Sequence, residues 1–105
     1  MTVVTIIDVS IKPDRVDTMT ALMQRMAEGT RTFEGCLDFA AYTNSDDPTN
    51  FVFVERWISR AHHARYSAWR GGQDDSKVFA EICAAAPIIR YLDEIDPSEG
   101  SAPGA

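Results

Sequence analysis

An α+β domain built on a four-stranded antiparallel sheet is the fold class this sequence predicts. Three observations predict it. The stretch TVVTIIDVSI alternates in the manner of a strand, two further strand-like runs flank one short polar loop, and helical patterns separate the first strand from this pair and the pair from a last strand. At 105 residues the chain is one domain by length. A chain this short buries a modest core and often gains stability by associating with a second copy.

Residues 2 to 11 place Val3, Thr5, Ile7, Val9 and Ile11 on one strand face and Val4, Ile6, Asp8 and Ser10 on the other. Lys12-Pro13-Asp14 stops the strand, and Pro13 with Asp14 suits the start of a helix. The spacing predicts that helix over about residues 14 to 29, with Val16, Met19, Leu22, Met23 and Met26 as an apolar stripe, read as core. Glu34-Gly35 turns the chain into a second strand, Cys36 to Asn44. SDDPTN at 45 to 50 is the turn, and Phe51 to Ile58 is the third strand, antiparallel to the second. Its alternation sets Phe51, Phe53, Glu55 and Trp57 against Val52, Val54, Arg56 and Ile58. The aliphatic side reads as core. The aromatic side, with its one carboxylate, reads as a ligand cavity or subunit contact on the open sheet face.

Ser59 caps a second helix, Arg60 to about Arg70, which Gly71-Gly72 ends. A third helical segment covers about residues 75 to 85, and IIRYLDEI at 88 to 95 is the last strand. The order βαββαβ, with the second α split in two, is the ferredoxin-like split βαβ arrangement, helices covering one sheet face. The domain is placed at residues 1–97, with 98–105 a polar tail unable to bury surface. An aromatic sheet face left open is expected to pair with a second copy.

The formal net charge of −6 is concentrated toward the C-terminus, where Asp93, Glu94, Asp96 and Glu99 follow the last basic residue, Arg90. The remaining body is mildly acidic and offers no phosphate-binding surface, so nucleic acid is a poor partner. No apolar run approaches a membrane span, and MTVVTIIDVS lacks the basic start of a signal peptide; a cytoplasmic location is expected. Cys36 and Cys83 stand in no motif spacing and read as small buried apolar residues.

Chemistry concentrates in HHARYSAWRGG, residues 62 to 72. At about 100° per residue, His62, His63, Tyr66, Trp69 and Arg70 share one arc of the helix, and Ala61, Ala64 and Ala68 the opposite one. Adjacent histidines diverge and no carboxylate stands one turn away on the helix, so no metal site is expected. A single histidine remains compatible with haem ligation. His63 or His62 titrates in the range of a general base. Arg70 or Arg90 could steady a phenolate, and Trp57, Phe53, Tyr66 and Trp69 could sandwich a flat polycycle. Each histidine on such a mixed face is more often a surface or satisfied core residue. Trp57 reads equally as dimer core, and Arg90 as a solvated strand position.

EGCLDFAAY at 34–42, DDPTNFVFVERWISR at 46–60 and YLDEI at 91–95 resemble the antibiotic biosynthesis monooxygenase family, over about residues 2 to 95. The resemblance implies a homodimeric α+β barrel. It also implies a cofactor-free oxygenase that joins a small aromatic substrate of the phenolic, anthrone-like or quinol class with molecular oxygen to give a quinone. Relatives of the same fold degrade haem, and a non-catalytic ligand-binding dimer is a further reading. By the resemblance Trp57 matches a cavity tryptophan, His63 falls near a cavity tyrosine, and Lys77 falls near a cavity arginine. Phe53 replaces a substrate-holding asparagine, and Tyr66 stands where many members carry histidine.

Overall fold

The computed structural model describes residues 2–96. Its elements are β1 (Val3–Ser10), a 3-10 turn (Pro13–Arg15), α1 (Val16–Thr32), β2 (Cys36–Asn44), β3 (Asp47–Trp57), α2 (Arg60–Gly71), α3 (Asp74–Ile82) and β4 (Ile88–Asp93). The domain limit at residue 97 and the tail 98–105 lie outside the described residues. The strands form one sheet in the order β2-β3-β1-β4, every pairing antiparallel. With the element order, this is the ferredoxin-like fold predicted.

Three boundaries move, each for a local reason. The helix reaches Thr32 because Gly29 is a close-approach site and not a breaker. A Cβ there would stand 3.2 Å from Arg70 Nη2 and 3.3 Å from the Trp69 ring. β3 starts at Asp47 because Asn44 pairs with Asp47 across a two-residue turn. Asp47 Oδ1 accepts from the Thr49 N–H and hydroxyl, and Asn50 Nδ2 donates to Asp8 Oδ1, so side chains tie the loop residues into the ladder. α3 stops at Ile82 because the chain turns extended to bridge Cys83 to Ile11, and the Ala84 N–H donates to the Ser10 carbonyl.

The strand faces are the reverse of the sequence reading. Phe51, Phe53, Glu55 and Trp57 are buried beneath the helices, with Val3, Val9, Ile11, Met19, Leu22, Phe39 and Ile82. The aliphatic series Val52, Val54 and Arg56 lies on the uncovered face. Register makes this coherent: Val4, Ile6 and Asp8 pair with Arg56, Val54 and Val52, and Leu92, Arg90 and Ile88 continue the same rows. Alternation separates two faces without naming the covered one. Here the bulky aromatics fill the wide space under α1 and α2, and smaller β-branched side chains line the open face.

Cys36 and Cys83 are free thiols, half-buried and not fully buried as expected. No helix among the described residues is long and apolar enough to cross a membrane.

Among the described glycines only Gly35 has positive φ, at 91°, and an added Cβ would fall 2.4 Å from His62 Cδ2. Gly35→Ala should lower folding stability by at least about 1–2 kcal/mol, from the left-handed backbone alone. Urea unfolding should show a reduced midpoint at unchanged m-value. An unchanged midpoint would mean that the turn and the His62 ring relax freely.

Candidate functional site

One row of side chains crosses the covered face of the sheet at its middle. Tyr91 on β4 pairs with Thr5 on β1, Thr5 with Glu55 on β3, and Glu55 with Phe39 on β2. The next row is Ile89, Ile7, Phe53 and Ala41. Above these rows, between the sheet and the three helices, lies a cavity of about 260 Å³. Met19, Met23, Met26, Phe39, Phe53 and Phe79 supply most of its apolar wall. Its polar groups are Thr30, Glu55, His63, Tyr66, Ser67, Arg70 and Ser76. The methionine stripe of α1 thus serves two ends: Met19 is core, and all three methionines shape the cavity.

Glu55 is 3% exposed. Its Oε1 accepts from Thr5 Oγ1 at 3.2 Å and from Trp57 Nε1 at 3.0 Å. Burial nonetheless pushes the carboxyl above the ordinary glutamate range, because removing a charge from water costs more than two donors return. His63 is buried above it, with Nε2 3.7 Å from Glu55 Oε1 and 3.4 Å from Ser67 Oγ, and Nδ1 3.1 Å from the Tyr91 hydroxyl. Burial, and then the charge of Arg60, push the imidazole below its ordinary value. Arg60 lies 4.0 Å over the Tyr91 ring, so the same cation steadies the histidine's partner. At 3.7 Å the His63–Glu55 contact is longer than a charge-assisted hydrogen bond. Both shifts favour the uncharged forms and work against a formed ion pair.

The far wall is a closed hydrogen-bond chain. Arg70 Nε donates to Tyr66 Oη at 3.1 Å, Tyr66 Oη meets Thr30 Oγ1 at 2.8 Å, and Thr30 Oγ1 donates to the Met26 carbonyl at 3.2 Å. Arg70 Nη2 also reaches Met26 O and Thr30 Oγ1, and Nη1 lies 3.7 Å from Asp75. Burial raises the Tyr66 pKa, which keeps the phenol protonated. With its donors committed, Arg70 fastens α2 to α1.

Of the residues singled out from sequence, Phe53, His63, Tyr66 and Arg70 meet at the cavity. Five do not line it. His62 is held at the start of α2, where its N–H donates to Ser59 Oγ and its Nδ1 lies 2.6 Å from the same oxygen. Trp57 is fully buried in a second layer, its ring 5.5 Å from His63 and 5.0 Å from Tyr66. Trp69 is 38% exposed and packs on Phe33 and Arg70, because a helix arc of a third of a turn is wider than the cavity wall. Lys77 projects into solvent near Asp74. Arg90 pairs with Ile6 and therefore lies on the opposite sheet face. Ala61, Ala64 and Ala68, on the opposite arc of the helix, are exposed.

The sequence reading did not name Glu55 and Thr5 as site residues, although each is the one polar residue on an otherwise apolar strand face. The register that joins them was not legible. A carboxylate absent from His63's own helix comes instead from the sheet.

The pH dependence of stability tests the Glu55 environment. A carboxyl with a raised folded-state pKa favours folding fully below its unfolded pKa, and that contribution is lost as pH rises through the folded value. The lowered pKa of His63 works oppositely, favouring folding above the ordinary histidine value of about 6.5 and losing effect as pH falls. Glu55→Gln keeps an acceptor for Thr5 and Trp57 but removes the charge. Its stability relative to the parent should therefore rise in urea titrations as pH climbs from the ordinary glutamate range through the raised folded-state value of Glu55. A constant difference across that range would show that Glu55 ionises as easily as an exposed glutamate.

A family model described as antibiotic biosynthesis monooxygenase matches residues 2–72. An uncharacterised protein of Synechocystis, sll1783, is 32% identical over 54 residues, 51% of this chain; the match spans just over a third (37%) of that relative. Among solved structures, an antibiotic biosynthesis monooxygenase is 21% identical with a TM-score of 0.77, covering 90% of this chain and 99% of its own. Rv0793 of Mycobacterium tuberculosis is 22% identical with a TM-score of 0.76, covering 93% and 99%. PA3566 of Pseudomonas aeruginosa is 16% identical with a TM-score of 0.74, covering 90% and 95%. At these identities the structural likeness speaks for the fold. The family and its fold support a monooxygenase-like or small-molecule-binding role. On the match across residues 2–72, the chain belongs to the antibiotic biosynthesis monooxygenase family.

Proposed function

We propose that the protein is a cofactor-independent monooxygenase that oxidises a small phenolic, anthrone-like or quinol substrate to a quinone, working as a homodimer. The observation that carries this reading is a neutral, buried imidazole, His63, at the wall of an apolar, aromatic-lined cavity. Triplet oxygen reacts poorly with neutral closed-shell molecules, whereas a phenolate or anthrone anion can give it an electron directly. The protein then needs a base and a water-poor pocket. His63 Nε2 takes the substrate proton. For an anthrone-like methylene, the anion and oxygen give a radical pair that collapses to a peroxide, and loss of water leaves the carbonyl. The electrons come from the substrate, so the scheme calls on no metal or flavin.

Phe53 and Phe39, packed on each other with ring centroids 6.1 Å apart, form one aromatic wall for a flat ring, and Ile7 and Ile89 extend it. Trp57 supports His63 from behind. A cavity of about 260 Å³ lies just under the roughly 300–1,000 Å³ of drug-sized ligand pockets. That size favours a small fused-ring aromatic over a tetrapyrrole.

The dimer is proposed on the open sheet face, where Val4, Ile6, Val52, Val54 and Leu92 form an apolar patch with Tyr42 and Ile88, the last 66% exposed. A second copy of the same face removes it from water. Val54→Asp should shift the sedimentation mass from twice 11.6 kDa to 11.6 kDa. A parent already monomeric at micromolar concentration would remove the dimer.

Oxygen uptake by metal-stripped protein, across a panel of anthrones, naphthols and hydroquinones, tests the chemistry. His63→Ala should lower turnover by about 100-fold or more, with the far-ultraviolet spectrum unchanged. A rate equal to that of the parent would take His63 out of the mechanism. No uptake with any substrate would leave a ligand-binding module.

A further inference from the structure

Both hydrogen bonds that Glu55 receives land on Oε1. Oε2 takes none from the described residues. Because no fully enclosed side-chain oxygen among them lacks a partner, Oε2 opens onto the cavity that Glu55 lines. A carboxyl with two donors on one oxygen carries its proton on the other. His63 Nε2 stands 3.7 Å from Oε1 and lines the same cavity. If Nδ1 donates to the Tyr91 oxygen, Nε2 keeps its lone pair toward the Ser67 and Glu55 side. The cavity wall therefore presents a carboxylic O–H and an imidazole lone pair side by side. A base alone would serve a phenol. An acid beside a base suits a carbonyl flanked by a removable C–H.

We propose that Glu55 and His63 enolise a small aryl ketone bound in the cavity, Glu55 hydrogen-bonding the ketone oxygen while His63 takes a proton from the adjacent carbon. This rests on the same reading of the cavity as a ligand site, but it needs no oxygen. The C–H bond breaks and its proton goes to Nε2. Its electron pair becomes the new C=C bond, and the carbonyl π pair moves to oxygen, which takes the proton of Glu55. Once the enol has left, the imidazolium gives its proton to water entering the cavity and the Glu55 carboxylate takes one from it, which restores both groups. No oxidant enters and no redox change occurs. The activity is a tautomerisation of cyclic ketones, able to feed an oxygenase step or to stand alone.

The test is α-hydrogen exchange of 2-tetralone and 1-indanone in D₂O under argon, followed by proton NMR with the full-length protein. Exchange should exceed the buffer rate and follow a bell-shaped pH profile, with the acidic limb from His63 and the alkaline limb from Glu55. Arg60 and Arg70 are the cations that face the pair, and Cys36, Tyr66 and Tyr91 are the other titratable groups around it. Glu55→Gln separates their effects from that of the carboxyl. It should slow exchange by about 10- to 100-fold and abolish the alkaline limb, while ketone binding, read by tryptophan fluorescence, persists. His63→Ala should return exchange to the buffer rate. If Glu55→Gln fails to fold, the parent's pH profile and His63→Ala decide. Exchange at the buffer rate with the parent protein, or an unchanged rate and profile in Glu55→Gln, overturns the proposal. Oxygen uptake without exchange would overturn it while leaving the oxygenase reading intact. Exchange without oxygen uptake would support it and remove the oxygenase.

Discussion

A carboxyl group sealed into the middle of an otherwise apolar sheet face sets the terms for everything around it. Moving Glu55 out of water is costly, and the structure offsets the cost in two ways. Two donors converge on Oε1, one from the neighbouring strand and one from the indole two residues along its own strand. The group's proton affinity rises, so the uncharged form persists to higher pH than in an exposed glutamate. An aliphatic residue in place of Thr5 would remove one of the two donors to Glu55, and Trp57 is held by its N–H as well as by its packing. The polar row across the sheet then fixes where His63 must stand, and His63 fixes the tilt of α2 against the sheet. Ligand space remains beside these groups because the Arg70, Tyr66 and Thr30 chain holds α2 to α1 at the other end.

Much of the architecture was legible because it rests on local patterns. The alternation of TVVTIIDVSI, the Pro13-Asp14 helix start and the Ser59 cap each depend on neighbours a few residues apart, and each appears where expected. Face assignment was not legible. The series of Phe51 and that of Val52 are both apolar, and only the volume beneath the helices decides which is covered. The same limit explains the site. Helix periodicity placed His63, Tyr66 and Arg70 on one side correctly, but it also included His62 and Trp69, because an arc does not reveal where the opposing wall ends. Arg90 was open to either face in isolation; its pairing with Ile6 sends it outward. Glu55 was visible as the one carboxylate of an aromatic face, yet its partners lie 50 positions earlier in the chain and eight later.

Family and fold constrain the chemistry less tightly than they constrain the backbone. Structures sharing about a fifth of the sequence superpose over nine-tenths of this chain. The residues that distinguish members therefore lie on a frame that hardly changes. On that frame this chain places Phe53 in the cavity wall, commits Tyr66 to a helix–helix clasp, and sets the buried Glu55 carboxyl 3.7 Å from His63. A site of this kind differs from a generic apolar cleft in the protonation states it stabilises, and those states are set by burial more than by neighbouring charge.

The strand that carries Tyr91 has a consequence for the timing of events at the site. β4 is an edge strand joined to the sheet through β1 alone, and all of its residues are exposed. Strands in this position open at a small fraction of the free energy needed to unfold the domain. Each opening would detach the phenol from His63 Nδ1 and release the ring to choose the other tautomer. The proton inventory of the cavity is thereby tied to the breathing of a peripheral strand. Any contact that clamps β4, from a ligand against Ile89 or from a second copy along the edge, would hold the histidine in one electronic form for longer.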